Sequence, residues 1–467
     1  MNIQSENGDI RIPPYLPIFA VDKRKNNMKK LLATLSLACL LSPLKAQQVL
    51  TLEECLQTGI ENNLSLRSRQ NEIRKGKHNI SENRAKLLPQ INGIASFNDN
   101  FNPPVSVTDG SAYGSPYNVT HTLQYNASAG IQLQMPLYNQ TIYTAVSIAR
   151  TMDEINQLSY EKAREDLIIQ IASMYYLGQS TVEQIELIKE NIARLKALKD
   201  ITVAFYDNGM AMEVDVKRVN INLENQQVQY DNAVSMLAQQ LNMLKYIIDF
   251  PAEKEIALTP VNAETISPME LSGLSEELYE LQLLRSQSKL MEQQKKMVTH
   301  AYLPSLNLTG NLMYSAFTDK GYHWFHSGPS NHWFQSSGVG ISLRIPIFDG
   351  LEKRAKQRKA KIDIENIKLS YENTLKNFQT QYLNATNNLL NNERNFVKQK
   401  DNYQLAEDVY TVTSDRYKEG IASMTEVLQD EMRMSEAQNN YVTAHYNYRI
   451  SNLTLLKLTG KTEILLK

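Results

Sequence analysis

The chain has 467 residues, 49 basic and 50 acidic side chains and a formal charge of −1, a length that suggests two or three domains. Near-neutrality gives no basic face for a nucleic acid. No run of 18 apolar residues occurs, which excludes a transmembrane helix but leaves a membrane β-barrel open, since barrel strands alternate and signal weakly.

In chain order, Met28-Lys29-Lys30 precedes an apolar run over 31–41 and a small residue, Ala46. This reads as a secretory signal cleaved after Ala46, with mature protein starting at Gln47. The polar stretch 1–27 reads as upstream of a true start at Met28. Cys39 offers a lipoprotein alternative, but it lies inside the apolar run with Leu40 and Leu41 behind it. Cys55 is then the one cysteine of the mature chain, so neither an intramolecular disulfide nor a cysteine zinc site can form. Thr51 and Glu54 make a capping box that opens a short helix. A second helix is expected over 64–87.

Then comes "IQLQMPLYNQ", in which Ile131, Leu133, Met135 and Leu137 alternate with Gln132 and Gln134 before Pro136 breaks the pattern. This is a strand with one apolar and one polar face. The same design returns in "ISLRIPIFDG", with Ile341, Leu343, Ile345 and Ile347 around Pro346, 210 residues after Pro136. A third apolar row is Leu306, Leu308, Leu312 and Tyr314; a fourth and weaker strand lies over 91–97. The opposite faces read as polar throughout. The loop over 98–120 is rich in Gly, Pro, Asn and Ser.

Each strand pair leads into a very long helix, over 141–206 and 351–417, and each helix is followed by a glycine turn, Gly209 in "FYDNG" and Gly420 in "RYKEG". Leu375, Phe378, Tyr382, Ala385 and Leu389 step by three and four. The frame continues through Phe396, Tyr403, Ala406, Tyr410, Thr413 and Tyr417, with polar exceptions at Asn392 and Gln399. That is a coiled-coil seam. Return helices are expected over 213–247 and 424–458. They are shorter than the rods, and the helices over 64–87 and 277–302 have about the missing length, so each is expected to stack end to end on a return helix. The chain is thus an internal two-fold repeat: 1–46 leader and extension, 47–260 first copy, 261–467 second copy. Each apolar row spans about ten residues, enough for a tilted strand to cross a bilayer. Four strands cannot close a barrel and open edges are not tolerated in lipid, so several chains must contribute to one barrel.

The C-terminal stretch "RYKEGIASMTEVLQDEMRMSEAQNNYVTAHYNYRISNLTLLKLTG" resembles the TolC-like outer-membrane efflux proteins. The residues that carry the resemblance are Arg416, Tyr417, Gly420, Val427, Leu428, Ala437, Tyr446, Asn447, Tyr448, Leu455 and Gly460. The resemblance covers about 50–460. It implies a mainly helical protein with a membrane barrel part: a homotrimer whose coiled-coil hairpins form an α-barrel in the periplasm. Four strands per chain would complete a 12-stranded barrel in outer-membrane lipid. It also implies docking on a periplasmic adaptor (membrane fusion) protein and an inner-membrane pump, as a passive duct for drug efflux or type I secretion. Its gate maps to Asp215, Tyr417, Glu426 and Gln429. Glu426 keeps one of two acids that narrow the family's pore, and Gln429 stands where the other would be. Ala422 replaces an arginine of the lock, with Asp430 and Arg433 the candidates to substitute. The expected lock is a Tyr417–Asp215 hydrogen bond, with Glu426 ringing the pore.

The histidine-rich "GYHWFHSGPSNHWF" matches none of the familiar zinc spacings. It reads as an extracellular loop with interfacial aromatics. No nucleophile–base pair, phosphate loop or paired-carboxylate signature is present, and neither an enzyme nor a cofactor is expected. A periplasmic coiled-coil adaptor without a channel is the competing reading. An adaptor would have no use for four strands of bilayer length.

Overall fold

The computed structural model describes residues 48–121, 123–261, 273–319 and 333–466. The leader with Cys39 and Ala46, and the loop histidines 323, 326 and 332, lie outside the described residues. Of the described residues, 48–49 and 253–257 form a small unit, in which the Gln48 N–H donates to the Glu255 carbonyl at 3.2 Å. The remainder forms one large unit.

The elements in order are β1 (Gln48–Leu50), α1 (Leu52–Asn62), α2 (Leu64–Ala85), β2 (Gln90–Asp99), β3 (Val105–Asp109), β4 (Tyr117–His121), β5 (Tyr125–Tyr138), α3 (Gln140–Asp207), α4 (Glu213–Ile248), β6 (Ile256–Leu258), α5 (Tyr279–His300), β7 (Ser305–Thr318), β8 (Trp333–Arg344), α6 (Glu352–Lys418) and α7 (Met424–Leu458). The long helices α3 and α6, of 68 and 67 residues, are each about 100 Å long at 1.5 Å per residue.

Local chemistry fixes most of these ends. The predicted capping box opens α1, with the Glu54 N–H donating to Thr51 Oγ1 at 3.2 Å and the Thr51 N–H to Glu54 Oε2 at 2.9 Å. Asn139 caps α3, accepting from the Thr141 N–H at 3.1 Å. Gly209 and Gly420 end the two rods at φ 72° and 76°, a left-handed conformation that glycine adopts without a Cβ penalty. Behind each glycine the same pair of bonds closes a Schellman motif. The Met210 N–H donates to the Phe205 carbonyl at 2.7 Å and that of Ile421 to Arg416 at 2.8 Å. The glycine N–H groups donate to Tyr206 and Tyr417, each at 2.9 Å.

The heptad positions are buried or half-buried, as the sequence pattern requires. Ala385, Leu389, Phe396, Tyr410 and Tyr417 form the covered side of α6, with Tyr403 packed against it. Phe396 stacks on Tyr448 of α7, ring centroids 5.9 Å apart, and contacts Tyr441 at 5.8 Å. The polar exception Asn392 donates to Ser451 Oγ of α7 at 2.7 Å, so it stays in the seam without an unmet bond. The stacking of short on return helices is present. Asn63, at the start of α2, donates to the Ile247 carbonyl near the end of α4 at 2.8 Å. The Ser275 N–H, just ahead of α5, donates to the Leu458 carbonyl that ends α7 at 3.1 Å. Cys55 is fully buried, and burial pushes its thiol up to about 12, the state of an inert core residue.

The sheet runs β2-β5-β7-β8, antiparallel at every step. Its register sets the apolar rows side by side. Ile131 lies opposite Leu312, Leu133 opposite Gly310 and Met135 opposite Leu308; Leu308 in turn faces Ile341 and Leu306 faces Leu343. On the other face Gln132 pairs with both Asn92 and Asn311, and Ser96 Oγ lies 2.6 Å from Ser128 Oγ.

Two expectations are corrected. Ile345 is not in its strand: β8 ends at Arg344, because Pro346 next to it has no N–H for a ladder. Nor is the polar face polar throughout. Ile94 and Met313 lie in its rows on either side of Gly130. A Cβ on Gly130 would meet the Leu312 carbonyl oxygen first and then Met313 Sδ at 2.5 Å, so the backbone of β7 and the thioether together occupy the space a side chain there would need. Period-two alternation in β5 alone could not reveal a methionine reaching over from β7.

Candidate functional site

The two glycine turns bring the predicted gate residues to one end of the helical hairpins. Tyr417 is 6 % exposed and packs on Phe205, centroids 5.6 Å apart, within a cluster that includes Leu198, Val219 and Met424. Its hydroxyl donates to Thr202 Oγ1 at 3.4 Å, and Thr202 donates onward to the Leu198 carbonyl at 2.7 Å. The expected Tyr417–Asp215 bond is therefore replaced by Tyr417–Thr202. Burial raises the tyrosine's pKa; the Thr202 bond opposes the rise, and the nearby Asp215 carboxylate adds to it.

Asp215 is engaged locally. It accepts from Arg218 at 3.1 Å and from the Met212 N–H at 3.4 Å, the open donor at the start of α4. Arg218 also donates to Thr425 Oγ1 at 3.3 Å and so ties α4 to α7 across the tips. Sequence reasoning passed over both Thr202 and Arg218. Arg218 did leave a signal, its i,i+3 spacing from Asp215, whereas nothing local marks Thr202.

Glu426 completes a capping box at the start of α7, accepting from the Ser423 N–H at 2.8 Å, and this bond lowers its pKa. Gln429 is exposed. Asp430 is held by Thr413 at 2.8 Å and by Arg433 at 3.2 Å, so the two candidate substitutes for the missing arginine pair with one another. Among the described residues no cluster of three or more His, Cys, Asp or Glu has metal-binding geometry.

Farther along α7, Glu431 is 2 % exposed and its Oε1 has no hydrogen-bond partner. Burial pushes its pKa up from 4.5 to about 7, against the pull of Arg194. Between those values the folded chain keeps a proton that the unfolded chain has lost. Stability therefore falls as pH rises from about 4.5 to about 7 and levels off above, by at most roughly 3 kcal/mol. Glu431→Gln should remove that slope. Thermal unfolding of both proteins at pH 5 and pH 8 checks it, and equal pH dependence would show that the carboxylate is not the source.

The second site is the sheet face. It is a mainly apolar surface of bilayer length, interrupted on β8 by Ser337 and Gln335 and backed by a mainly polar face, with β2 and β8 as edges that no strand among the described residues pairs. Among the described residues no helix is long and apolar enough to cross a membrane. Such strands joined to helical rods define a membrane channel subunit that spans lipid with its sheet alone. The chain belongs to the outer membrane efflux protein family, whose model matches twice, over 55–248 and 274–461. It is 20% identical to the outer membrane protein TolC of Escherichia coli over 391 residues, 82% of this chain and 76% of that one. Its fold is that of the outer membrane protein VceC of Vibrio cholerae (TM-score 0.67, 15% identity, 88% of this chain and 96% of that one). It is likewise that of the Neisseria gonorrhoeae MtrE outer membrane channel (TM-score 0.70, 18% identity, 89% of each chain). The chain is thus an outer-membrane protein, with its sheet in the membrane and its rods in the periplasm. The adaptor reading is set aside.

Proposed function

We propose that three copies of this chain close into one passive duct, each supplying the repeats 47–260 and 261–467. The observation that carries this reading is that β2 and β8 end the sheet with no further strand among the described residues, on a sheet with a lipid-compatible face. Lipid does not tolerate open edges, and four strands fall short of the smallest barrels of eight. Because the four strands alternate in direction, β8 of one copy meets β2 of the next antiparallel, and three copies give twelve strands.

The helices support the same closure. α3 packs on α4 and α7, and α7 on α6, which leaves α4 and α6 as the outer pair. Both carry a further row of apolar residues turned away from their own chain. On α4 it is Val214, Ile221 and Val228; on α6 it is Ile362 and Leu369, then Leu405 and Val412. Their seven-residue spacing is that of a second seam. The sheet and the helical layer thus end in the first repeat on one side and in the second on the other. The duct delivers cargo received from an inner-membrane pump through a periplasmic adaptor at the tips. Mass in detergent together with conductance in a planar bilayer tests this, and a non-conducting monomer would overturn it.

The tips are the gate. Arg218→Ala breaks the α4–α7 tie and leaves Asp215 with only the Met212 N–H; Tyr417→Phe removes only a long neutral bond, worth roughly 0.5–1.5 kcal/mol at most. Arg218→Ala should therefore raise the conductance of the closed duct more than Tyr417→Phe does. Three copies of Glu426 would also ring the entrance with negative charge, so Glu426→Gln should lower cation selectivity. Single-channel recording reads both effects. Wild-type conductance and selectivity in all three variants would put the gate elsewhere.

A further inference from the structure

Four junctions between strand and helix lie at one end of the sheet: α2 leads into β2, β5 into α3, α5 into β7 and β8 into α6. They hold two layers that closing a duct does not require. The first is apolar and exposed: Leu88, Leu303, Ile347, Phe348 and Leu351 are 60%, 42%, 95%, 80% and 57% exposed. The second is cationic. The first ten residues of α6, about 15 Å of helix, hold Lys353, Arg354, Lys356, Arg358, Lys359 and Lys361 against one acid, Glu352. Arg84 and Lys86 at the end of α2, and Lys295 and Lys296 near the end of α5, extend the layer to the other junctions. In a chain of net charge −1 this is a strong local concentration.

Some of these cations have acidic partners, Lys86 among them with Glu82 at 3.9 Å, but most have none among the described residues. Lys353 pairs with Asp349 and Lys356 with Glu352, but Arg354, Arg358, Lys359 and Lys361 make no ion pair among the described residues. At 100° per residue the six cations point to all sides of α6, so any rotation of the helix leaves several facing outward. An apolar layer at the helix end of the strands, followed by a cationic one, matches the order of a leaflet met from its core: acyl chains, then phosphates.

We propose that this collar binds the phosphate headgroups of anionic phospholipids in the periplasmic leaflet and so fixes the depth at which the duct sits. The inference rests on the reading of the sheet as a membrane barrel. Cations that act only on cargo inside the duct, or that are merely solvated, would confer no lipid preference.

The full-length protein is reconstituted with spin-labelled phosphatidylglycerol or phosphatidylcholine, and the motionally restricted boundary fraction is measured by electron spin resonance. At about 0.1 M salt phosphatidylglycerol should be favoured by roughly twofold or more. The preference should vanish at about 1 M salt, where the Debye length falls to roughly 3 Å. It should also vanish in the combined variant Arg354→Gln, Arg358→Gln, Lys359→Gln, Lys361→Gln. Equal association of the two lipids with the wild type overturns the proposal, as does a preference that survives high salt. Should the variant fail to assemble, the wild-type salt series decides alone. Trimer mass and conductance are read on the same samples. A conducting trimer without lipid preference sinks the collar alone, and a sample that forms neither trimer nor channel sinks the duct and the collar together.

Discussion

Leu133→Arg should block membrane assembly, while Gln132→Arg on the adjacent residue should assemble almost as wild type. The two positions differ only in face. Leu133 lies in the row with Ile91 and Gly310, within the apolar surface, and Gln132 lies between Asn92 and Asn311 on the polar one. A cation on a lipid-facing mid-barrel site costs about 2–4 kcal/mol, and three copies place three such charges in one barrel. Facing a water-filled interior, the arginine at position 132 keeps its hydration. The amount of assembled protein recovered from outer membranes reads the difference; equal recovery of the two variants would mean that the faces are not lipid and water, and better recovery of Leu133→Arg that they are reversed.

Phe396→Ala should be the most damaging single truncation along the rods. Phe396 is 7 % exposed and touches Tyr441, His445 and Tyr448 of α7, with ring centroids 4.9 to 5.9 Å away. Removing a buried phenylalanine ring costs about 3–5 kcal/mol, because the lost transfer energy is joined by the cavity left behind. The loss should appear as a lower melting temperature of the detergent-solubilised protein. Lys398→Ala, two residues on and exposed, should stay within about 0.5 kcal/mol of wild type. A Phe396→Ala protein as stable as the Lys398→Ala one would show that α6 and α7 are not held by this seam.

The sequence by itself determined where the helices begin and end, though not where every strand does: β8 stops at Arg344, short of Ile345, and β3 and β4 form in the stretch read as a loop. Gly209 and Gly420, the Thr51–Glu54 box and the heptad from Leu389 to Tyr417 act through the backbone within one or two turns, and the structure has each of them where the pattern puts it. Family membership was legible for a related reason, since the C-terminal motif joins one tip turn to one return helix and needs no distant partner to be recognised. Partner choice was not legible. Helical periodicity says which side of α6 is covered but not what covers it, so Tyr417 could be placed in the seam while its hydroxyl partner, Thr202, lay 215 positions away on another rod. Arg218 became a tie only because folding brought Thr425 of the other repeat within 3.3 Å of it. The sheet follows the same rule. Alternation assigned Leu133 and Gln132 to opposite faces, but only the pairing of β5 with β7 decided that Met313 would fill the space over Gly130. A side chain's own neighbours fix its backbone state and its face. Its contacts across the fold depend on register and on helix rotation, and those are set by the packing of all the elements together.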